Sequence, residues 1–358
     1  MLTILYPYRN RETERVKRSL DSLIEQTNHD FKVILVDYGS NVSSASEIKK
    51  LVSSYTFATY IYNFSELQPW SRAKAINIGL RNVTTDYVFT ADVDMIFSPN
   101  FIAKLQELKN PLKAYYFKVG FLNEKESLTI KPFDNYTADF SSGVGAQGLS
   151  LFSIEQIRKI NGYDEFLHFW GAEDIDIHNR LERIGVESVF YNTEILMLHQ
   201  WHKSYRREET EILAKDLQLT NVVQINHHHL LFNNENEKAA VNNENWGNEF
   251  SALDFQELKQ DQTQKILLNK VDVITHFLFY ELANFKNGIL NISFIKDDFQ
   301  GSLKYKIKKL LRKKVPKYYS LKEINDMILL HIISFYHTSP YTYEVSDDLK
   351  KITFKIKK

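Results

Sequence analysis

Cysteine is absent from this 358-residue chain, which excludes a disulfide framework and thiolate chemistry. Charge of one sign is also lacking. The 45 basic and 45 acidic side chains cancel, so the composition carries no electrostatic footprint for nucleic acid. No window approaches the ~18 consecutive apolar residues of a membrane span. The opening Met-Leu-Thr-Ile-Leu-Tyr-Pro-Tyr-Arg lacks the apolar stretch of a signal peptide, so a cytoplasmic location is expected. What remains is globular composition: 43% hydrophobic residues, with 20 Tyr, 24 Phe and 4 Trp to fill a core.

Strand and helix patterns alternate from the first residue. Strands are expected over Thr3–Tyr6, Phe31–Val36 and Phe57–Tyr62, and helices over Glu12–Gln26, Ser44–Ser54 and Arg72–Arg81, with Ser71 as N-cap of the last. A β-α-β order of this kind argues for an α/β fold with a mainly parallel, doubly wound sheet. From Tyr115 to Gly148 the pattern turns irregular, as an antiparallel insertion would. Helices return over Ser153–Asn161 and Ala172–Ile184, and a last strand over Val186–Phe190. The Asn-rich stretch 233–249 reads as a polar linker. It divides a catalytic domain, 1–232, from an accessory region, 250–358, with helical patterns over Gln262–Phe285 and Leu321–His337.

Residues 86–94, Asp-Tyr-Val-Phe-Thr-Ala-Asp-Val-Asp, are an apolar run closing on two carboxylates. Such a run is a buried strand, and ligands of open α/β sheets bind at the carboxyl ends of strands. Asp92 and Asp94 have no Lys or Arg beside them in sequence, so a hard divalent cation escorting a diphosphate would balance them. Pro7-Tyr8-Arg9-Asn10-Arg11 follows the first strand at the same edge, where Arg9 and Arg11 offer forks for phosphate or nucleobase oxygens. Asp37 ends the second strand and could accept from a pyrimidine imide. Trp70 and Arg72 open a helix whose N-terminus attracts anions.

Phe169-Trp170-Gly171-Ala172-Glu173-Asp174-Ile175-Asp176 sets an indole, a small neighbour and three acids at another helix start. A sugar face stacks on an indole and needs Gly171-like room to approach, although acids at a helix N-terminus can be dipole chemistry alone. His199 and His202, spaced i, i+3, can converge on one cation. The consecutive His227–His229 run reads as solvated.

Taken together these segments resemble GT-A glycosyltransferases of the family 2 type, most closely the catalytic domain of β-1,4-galactosyltransferases and bacterial relatives. Pro7–Arg11, Trp70–Lys74, Asp92–Asp94, Trp170–Asp174 and His199–His202 stand in the order of that family's motifs, over residues 1–205. The resemblance implies a metal-dependent inverting enzyme moving a hexose or N-acetylhexosamine from a UDP-sugar to a glycan or lipid-linked glycan hydroxyl. Bacterial surface polysaccharide synthesis is the setting it suggests. Arg9, Arg11, Trp70 and Arg72 would hold the uridine diphosphate, with Pro7, Asp37, Trp170 and Gly171 completing the donor and sugar pocket. Asp92 would lie near the ribose or the metal, and Asp94 would ligate Mn²⁺ (or Mg²⁺) with His199, His202 or both. Asp174 would be the catalytic base and Glu173 an acceptor contact.

There are departures. His199 stands where the galactosyltransferase pattern has Met, Ala172 replaces the second Gly of Trp-Gly-Gly, and Tyr38 replaces an Asp. A nucleotidyltransferase would carry a Gly-rich, Arg-Lys phosphate loop near its N-terminus, which is missing. A non-catalytic UDP-sugar or glycan-binding module would have no need of Asp94, Asp174 and His199 together. Lys203–Arg207 could form a lid. Lys304–Lys317 interleaves eight basic residues with apolar ones. It reads either as a peripheral surface for anionic lipid or charged glycan, or as a solvated helix packing its apolar stripe inward; the second is the expectation.

Overall fold

The computed structural model describes residues 1–203 and 212–358, so Ser204–Arg207 of the expected lid lie outside the described residues. The chain forms two compact units. The first comprises Met1–Glu66, Trp70–Tyr205 and Val223–Glu249; the second comprises Leu67–Pro69, Arg206–Val222 and Phe250–Lys358.

The first unit is built on strands β1 (Leu2–Tyr8), β2 (Phe31–Tyr38), β3 (Ala58–Asn63), β4 (Tyr87–Thr90), β5 (Met95–Phe97), β6 (Lys113–Phe117), β7 (Gly120–Phe121), β8 (Phe140–Ser141), β9 (Ser150–Ser153), β10 (Glu187–Tyr191) and β11 (Met197–His199). Seven of them form a sheet in the order β10-β6-β9-β4-β1-β2-β3. All its pairings are parallel except those of β9, which runs antiparallel between β4 and β6. Within the irregular stretch Tyr115–Gly148, β7 and β8 pair antiparallel, as expected of it. Alternate β1 residues feed opposite faces: Leu2, Ile4 and Tyr6 enter one apolar core, Leu5 the other. Burial on both faces explains why these strands read as continuous apolar runs.

Pro7 lies inside β1 and is buried. The strand tolerates it because β4 pairs only with Thr3–Leu5, so its missing N–H costs no ladder bond on that side. Pro7 therefore aims the Arg9–Arg11 loop and has no surface for a ligand. Gly39, at φ +75°, is obligatory, since a Cβ there would sit 2.3 Å from the backbone of Ser65 and Glu66.

The stretch 233–249, expected to be a linker, is instead packed on the first unit. Its asparagines satisfy buried backbone: the Asn242 amide donates to the carbonyls of Asn161 (2.8 Å) and Tyr163 (2.6 Å). Trp246 is 4% exposed within the core, and the Gly247 N–H donates to Glu165 at 2.6 Å. His229 is likewise not solvated. Its Nε2 lies 2.9 Å from Asp164 and its ring stacks on Phe166. Polar composition here marks hydrogen bonding in place, which composition alone does not distinguish from solvation.

Asp176, one of the three acids after Gly171, is structural. It forms a 2.6 Å ion pair with Arg180 in which both side chains are 0% exposed, and its other oxygen accepts from Asn233. Asp176→Ala would strand the guanidinium and should cost about 3–5 kcal/mol, while Asp176→Leu with Arg180→Met should recover most of it. Urea unfolding of both variants checks this. Equal destabilisation of the two would refute it.

In the second unit, β12 (Lys265–Leu268), β13 (Ile289–Ile295), β14 (Tyr341–Val345) and β15 (Lys351–Lys357) form a sheet in the order β12-β13-β15-β14. Helices account for most of the rest, with Ser320 and Glu323 forming a capping box on Leu321–His331. The continuous helix expected over Gln262–Phe285 is broken, because Ile266–Leu268 pair in parallel with β13. No described helix is long and apolar enough to cross a membrane.

Candidate active site

The site lies where β1, β2 and β4 end. β4 stops at Thr90, and the Asp-Val-Asp segment leaves the sheet before β5 begins at Met95. β5 pairs antiparallel with β11, setting His199 opposite Met95. The Gln200 N–H donates to the Asp94 carbonyl at 3.1 Å. This register places Asp94 beside His199.

Asp94, His199 and His202 converge. His199 Nε2 is 3.7 Å from Asp94 Oδ1, and His202 Nε2 is 3.5 Å from Oδ2. One ligand atom from each of the three lies within 4.8 Å of the others. These separations are too long for good hydrogen bonds. They suit a cation with bonds of about 2.0–2.2 Å, whose neighbouring ligand atoms stand about 3.0–3.5 Å apart. Among the described residues, Asp94 Oδ1 is buried with no hydrogen-bond partner. An orphaned carboxylate oxygen facing two imidazoles fits a divalent ion, and the mixed donor set suits a transition metal better than Mg²⁺.

Asp92 is balanced differently from its neighbour. Arg72 Nε donates to it at 3.1 Å, so the absence of a cation beside this acid holds in sequence but not in space. The Arg72 side chain is 13% exposed and that of Asp92 43%, making Arg72 a sunken prop and Asp92 a face of the recess. Burial works against the Asp92 charge, but Arg72 and then His199 hold its carboxyl below the usual range. Ser71 caps the helix Arg72–Asn82 by accepting from the Lys74 N–H, which fixes where Arg72 leaves the helix.

Arg72 also donates to the Gly148 carbonyl at 2.9 Å. A Cβ on Gly148 would lie 3.4 Å from Asp174 Oδ2, so the acid and the guanidinium share one recess. Asp174 Oδ1 accepts from the Ile175 N–H at 3.0 Å, leaving Oδ2 for other work. Burial raises the Asp174 carboxyl above its ordinary range. It pushes Glu173 up to about 7, helped by the Asp174 charge and opposed by Arg72. Two acids with raised carboxyls at the head of a helix are suited to proton transfer.

The loop before them is conformationally costly. Phe169, Gly171 and Ala172 have φ of +63°, +97° and +77°. Asn226 holds it: its amide nitrogen lies 2.9, 3.1 and 3.2 Å from the carbonyl oxygens of His168, Trp170 and Gly171. The Phe169 N–H donates to the Trp70 carbonyl, and Ser71 Oγ donates to that of Leu167. Trp170 is 36% exposed, and no described residue would meet a Cβ on Gly171 within 4 Å. The indole thus turns part of its surface to solvent beside an open backbone. Asn226 lies in a polar stretch that carried no sequence signal for this role.

The remaining expected residues divide. Arg9 is half-buried and donates to the Glu66 carbonyl at 2.6 Å, while Arg11 is exposed and contributes to the field at Asp92. Trp70 is half-buried, edge-on to Tyr38. Asp37 is 0% exposed, with Oδ1 accepting from the Ser40 N–H and Oδ2 from the Tyr60 hydroxyl, both at 2.8 Å. It braces the turn after β2 and presents no surface to a nucleobase.

A mainly parallel sheet whose strand ends gather an Asp-x-Asp segment and two acids, with two imidazoles alongside, is the arrangement that the resemblance to GT-A glycosyltransferases implies. Family models and curated relatives point the same way. Residues 3–132 match the family model "Glycosyl transferase family 2", and residues 129–203 match "N-terminal domain of galactosyltransferase". Human β-1,4-galactosyltransferase 5 is 27% identical over 133 residues, covering 36% of this chain and 30% of that protein. An uncharacterized glycosyltransferase of Haemophilus influenzae is 26% identical over 186 residues, covering 49% and 60%. The chain therefore spans about a third of the galactosyltransferase and under two thirds of the bacterial relative. Among solved structures, a Pyrobaculum calidifontis mannosyltransferase in complex with GDP-Man and Mn²⁺ aligns with TM-score 0.42 and 17% identity, covering 57% and 58% of the two chains. GalNAc-T7 with UDP, GalNAc and Mn²⁺ aligns with TM-score 0.46 and 15% identity, covering 65% and 47%. Residues 3–203 are thus similar to glycosyltransferase domains, to family 2 over 3–132 and to the galactosyltransferase domain over 129–203.

Proposed function

We propose that this domain transfers a hexose or N-acetylhexosamine from a UDP-sugar to a hydroxyl of a glycan or lipid-linked glycan, with inversion, in the building of a bacterial surface polysaccharide. The observation that carries this is the run of groups from Asp94, His199 and His202 through Asp92 and Arg72 to Gly148 and Asp174. It supports reading a cation site and a proton acceptor close to one another.

Asp174 Oδ2 takes the acceptor hydroxyl proton as that oxygen bonds to the anomeric carbon and the bond from that carbon to the diphosphate breaks. Glu173, near half-protonated at neutral pH, orients the acceptor and limits the charge beside Asp174. Arg9 and Arg11 hold the nucleotide diphosphate, and the exposed surface of Trp170 stacks on a sugar. A divalent ion on Asp94, His199 and His202, Mn²⁺ before Mg²⁺ given two imidazoles, would neutralise charge on the leaving diphosphate. Mn²⁺-dependent UDP release from UDP-Gal, UDP-GalNAc, UDP-Glc and UDP-GlcNAc, with and without acceptor sugars, tests the proposal. No release from any donor would overturn it.

Turnover should fall on the acid side with an apparent pKa above that of an ordinary carboxylate, because the base must be ionised and burial raises it. Arg72 opposes that rise, so Arg72→Gln should move the acid limb to higher pH. An unmoved limb in a kcat–pH profile would separate Arg72 from the base. Asn226→Ala frees the strained Trp170 loop and should cut kcat about ten- to a hundredfold while UDP affinity holds, since only the loop carbonyls lose a partner. Equal losses in UDP binding by calorimetry would point instead to general unfolding.

A further inference from the structure

Between Asp298 and Glu323 the chain has no acid, and Lys304–Lys317 concentrates eight Lys and Arg in a protein of zero formal charge. Part of this stretch is the helix Leu303–Leu310, capped by Ser302 accepting from the Tyr305 N–H. Tyr305 marks its inner side, edge-on to Phe299 at 5.7 Å and Tyr318 at 5.5 Å. At 3.6 residues per turn, Leu303, Ile307, Leu310 and Leu311 fall in an arc of about 100° on the side opposite Tyr305. They are 73%, 47%, 83% and 59% exposed, so the apolar stripe does not pack inward as expected from sequence. Lys304 and Lys308 flank the stripe on one side, Lys306 and Lys309 on the other. Among the described residues, none of the eight cations pairs with a carboxylate.

We propose that this helix docks on a membrane surface rich in anionic lipid. Such a surface meets both halves of the pattern: headgroups take the charges while the leucines enter the acyl boundary and the lysine stems lie along them. An acidic glycan would match the cations but leave the leucines in water. A second copy of the chain would bring eight like charges against eight.

Flotation of the full chain with vesicles tests this, comparing phosphatidylcholine alone with mixtures containing about a third phosphatidylglycerol. Binding should require the anionic lipid and weaken with salt. Lys306→Gln, Lys308→Gln, Lys309→Gln and Arg312→Gln together should lower partitioning by at least about a hundredfold, each basic residue being worth roughly fivefold. Ile307→Ser with Leu310→Ser should lower it about tenfold. Both variants alter exposed residues, so thermal melting and UDP release in solution should stay unchanged, which keeps the outcome separate from that of the proposed activity. Equal binding to both vesicle types would overturn the proposal. So would full binding by the serine variant, or a dimer in solution that the serine variant splits.

Discussion

Asp174→Asn should lower turnover about a thousandfold or more while leaving UDP binding close to that of the parent chain. The substitution keeps shape and the Oδ1 contact with the Ile175 N–H, and removes only the basicity of the oxygen beside Gly148. Its effect is therefore confined to proton transfer. Asp174 lies at the N-terminal turn of the helix Glu173–Arg183, where the dipole favours the anion, but burial raises its carboxyl, and that balance keeps it a usable base. Loss of the Asp174 charge also releases Glu173, whose carboxyl it helps to hold near 7, so residual activity should show an acid limb shifted downward. Glu173→Gln should be the milder change. If the Asn variant turned over like the parent, or if Glu173→Gln were the more damaging, the roles assigned to the two acids would be wrong.

Much of the fold is legible in the sequence. The parallel sheet followed from apolar runs alternating with helical periods, and Ser71 caps its helix as its position suggested. Asp94 comes together with His199 and His202, which lie far from it in sequence, because β5 and β11 pair in one register. What was not legible depended on partners chosen by tertiary packing. Sequence places no cation beside Asp92, yet Arg72 reaches it from another element. The acids Glu173, Asp174 and Asp176 look alike in a string, but helical geometry turns Asp176 to Arg180 and leaves the other two to the recess. Asn226, Asn233 and Asn242 look like solvent-loving residues. They serve as hydrogen-bond donors to buried carbonyls and carboxylates, which hydropathy scores as disorder. Asp37 likewise has partners that sequence does not show: it is fully buried, and each of its oxygens accepts one hydrogen bond from within the fold.

Asp94→Ala should remove tight Mn²⁺ binding and the metal-dependent part of UDP affinity. Altering a residue that merely orients a metal ligand typically costs about 10–100-fold, so loss of the carboxylate itself should cost more. The residue is well placed for so large an effect: it is 5% exposed, and among the described residues its Oδ1 has no other partner. Nothing else in the described triad carries negative charge, so the two imidazoles alone would meet a divalent ion without compensation. Titration calorimetry with Mn²⁺, and the electron paramagnetic resonance of Mn²⁺ bound in the absence of donor, measure this without relying on turnover. His199→Ala and His202→Ala, made singly, should each weaken binding, and the larger loss identifies the stronger nitrogen donor. Since an imidazole must be neutral to ligate, Mn²⁺ affinity should fall on acidification, and the fall should flatten in a variant lacking both histidines. At a hundred times its Kd the ion should raise folding stability by about 2.7 kcal/mol in the parent chain and not in Asp94→Ala. Unchanged Mn²⁺ binding by Asp94→Ala would move the cation elsewhere and leave the carboxylate–imidazole cluster as an unoccupied polar contact.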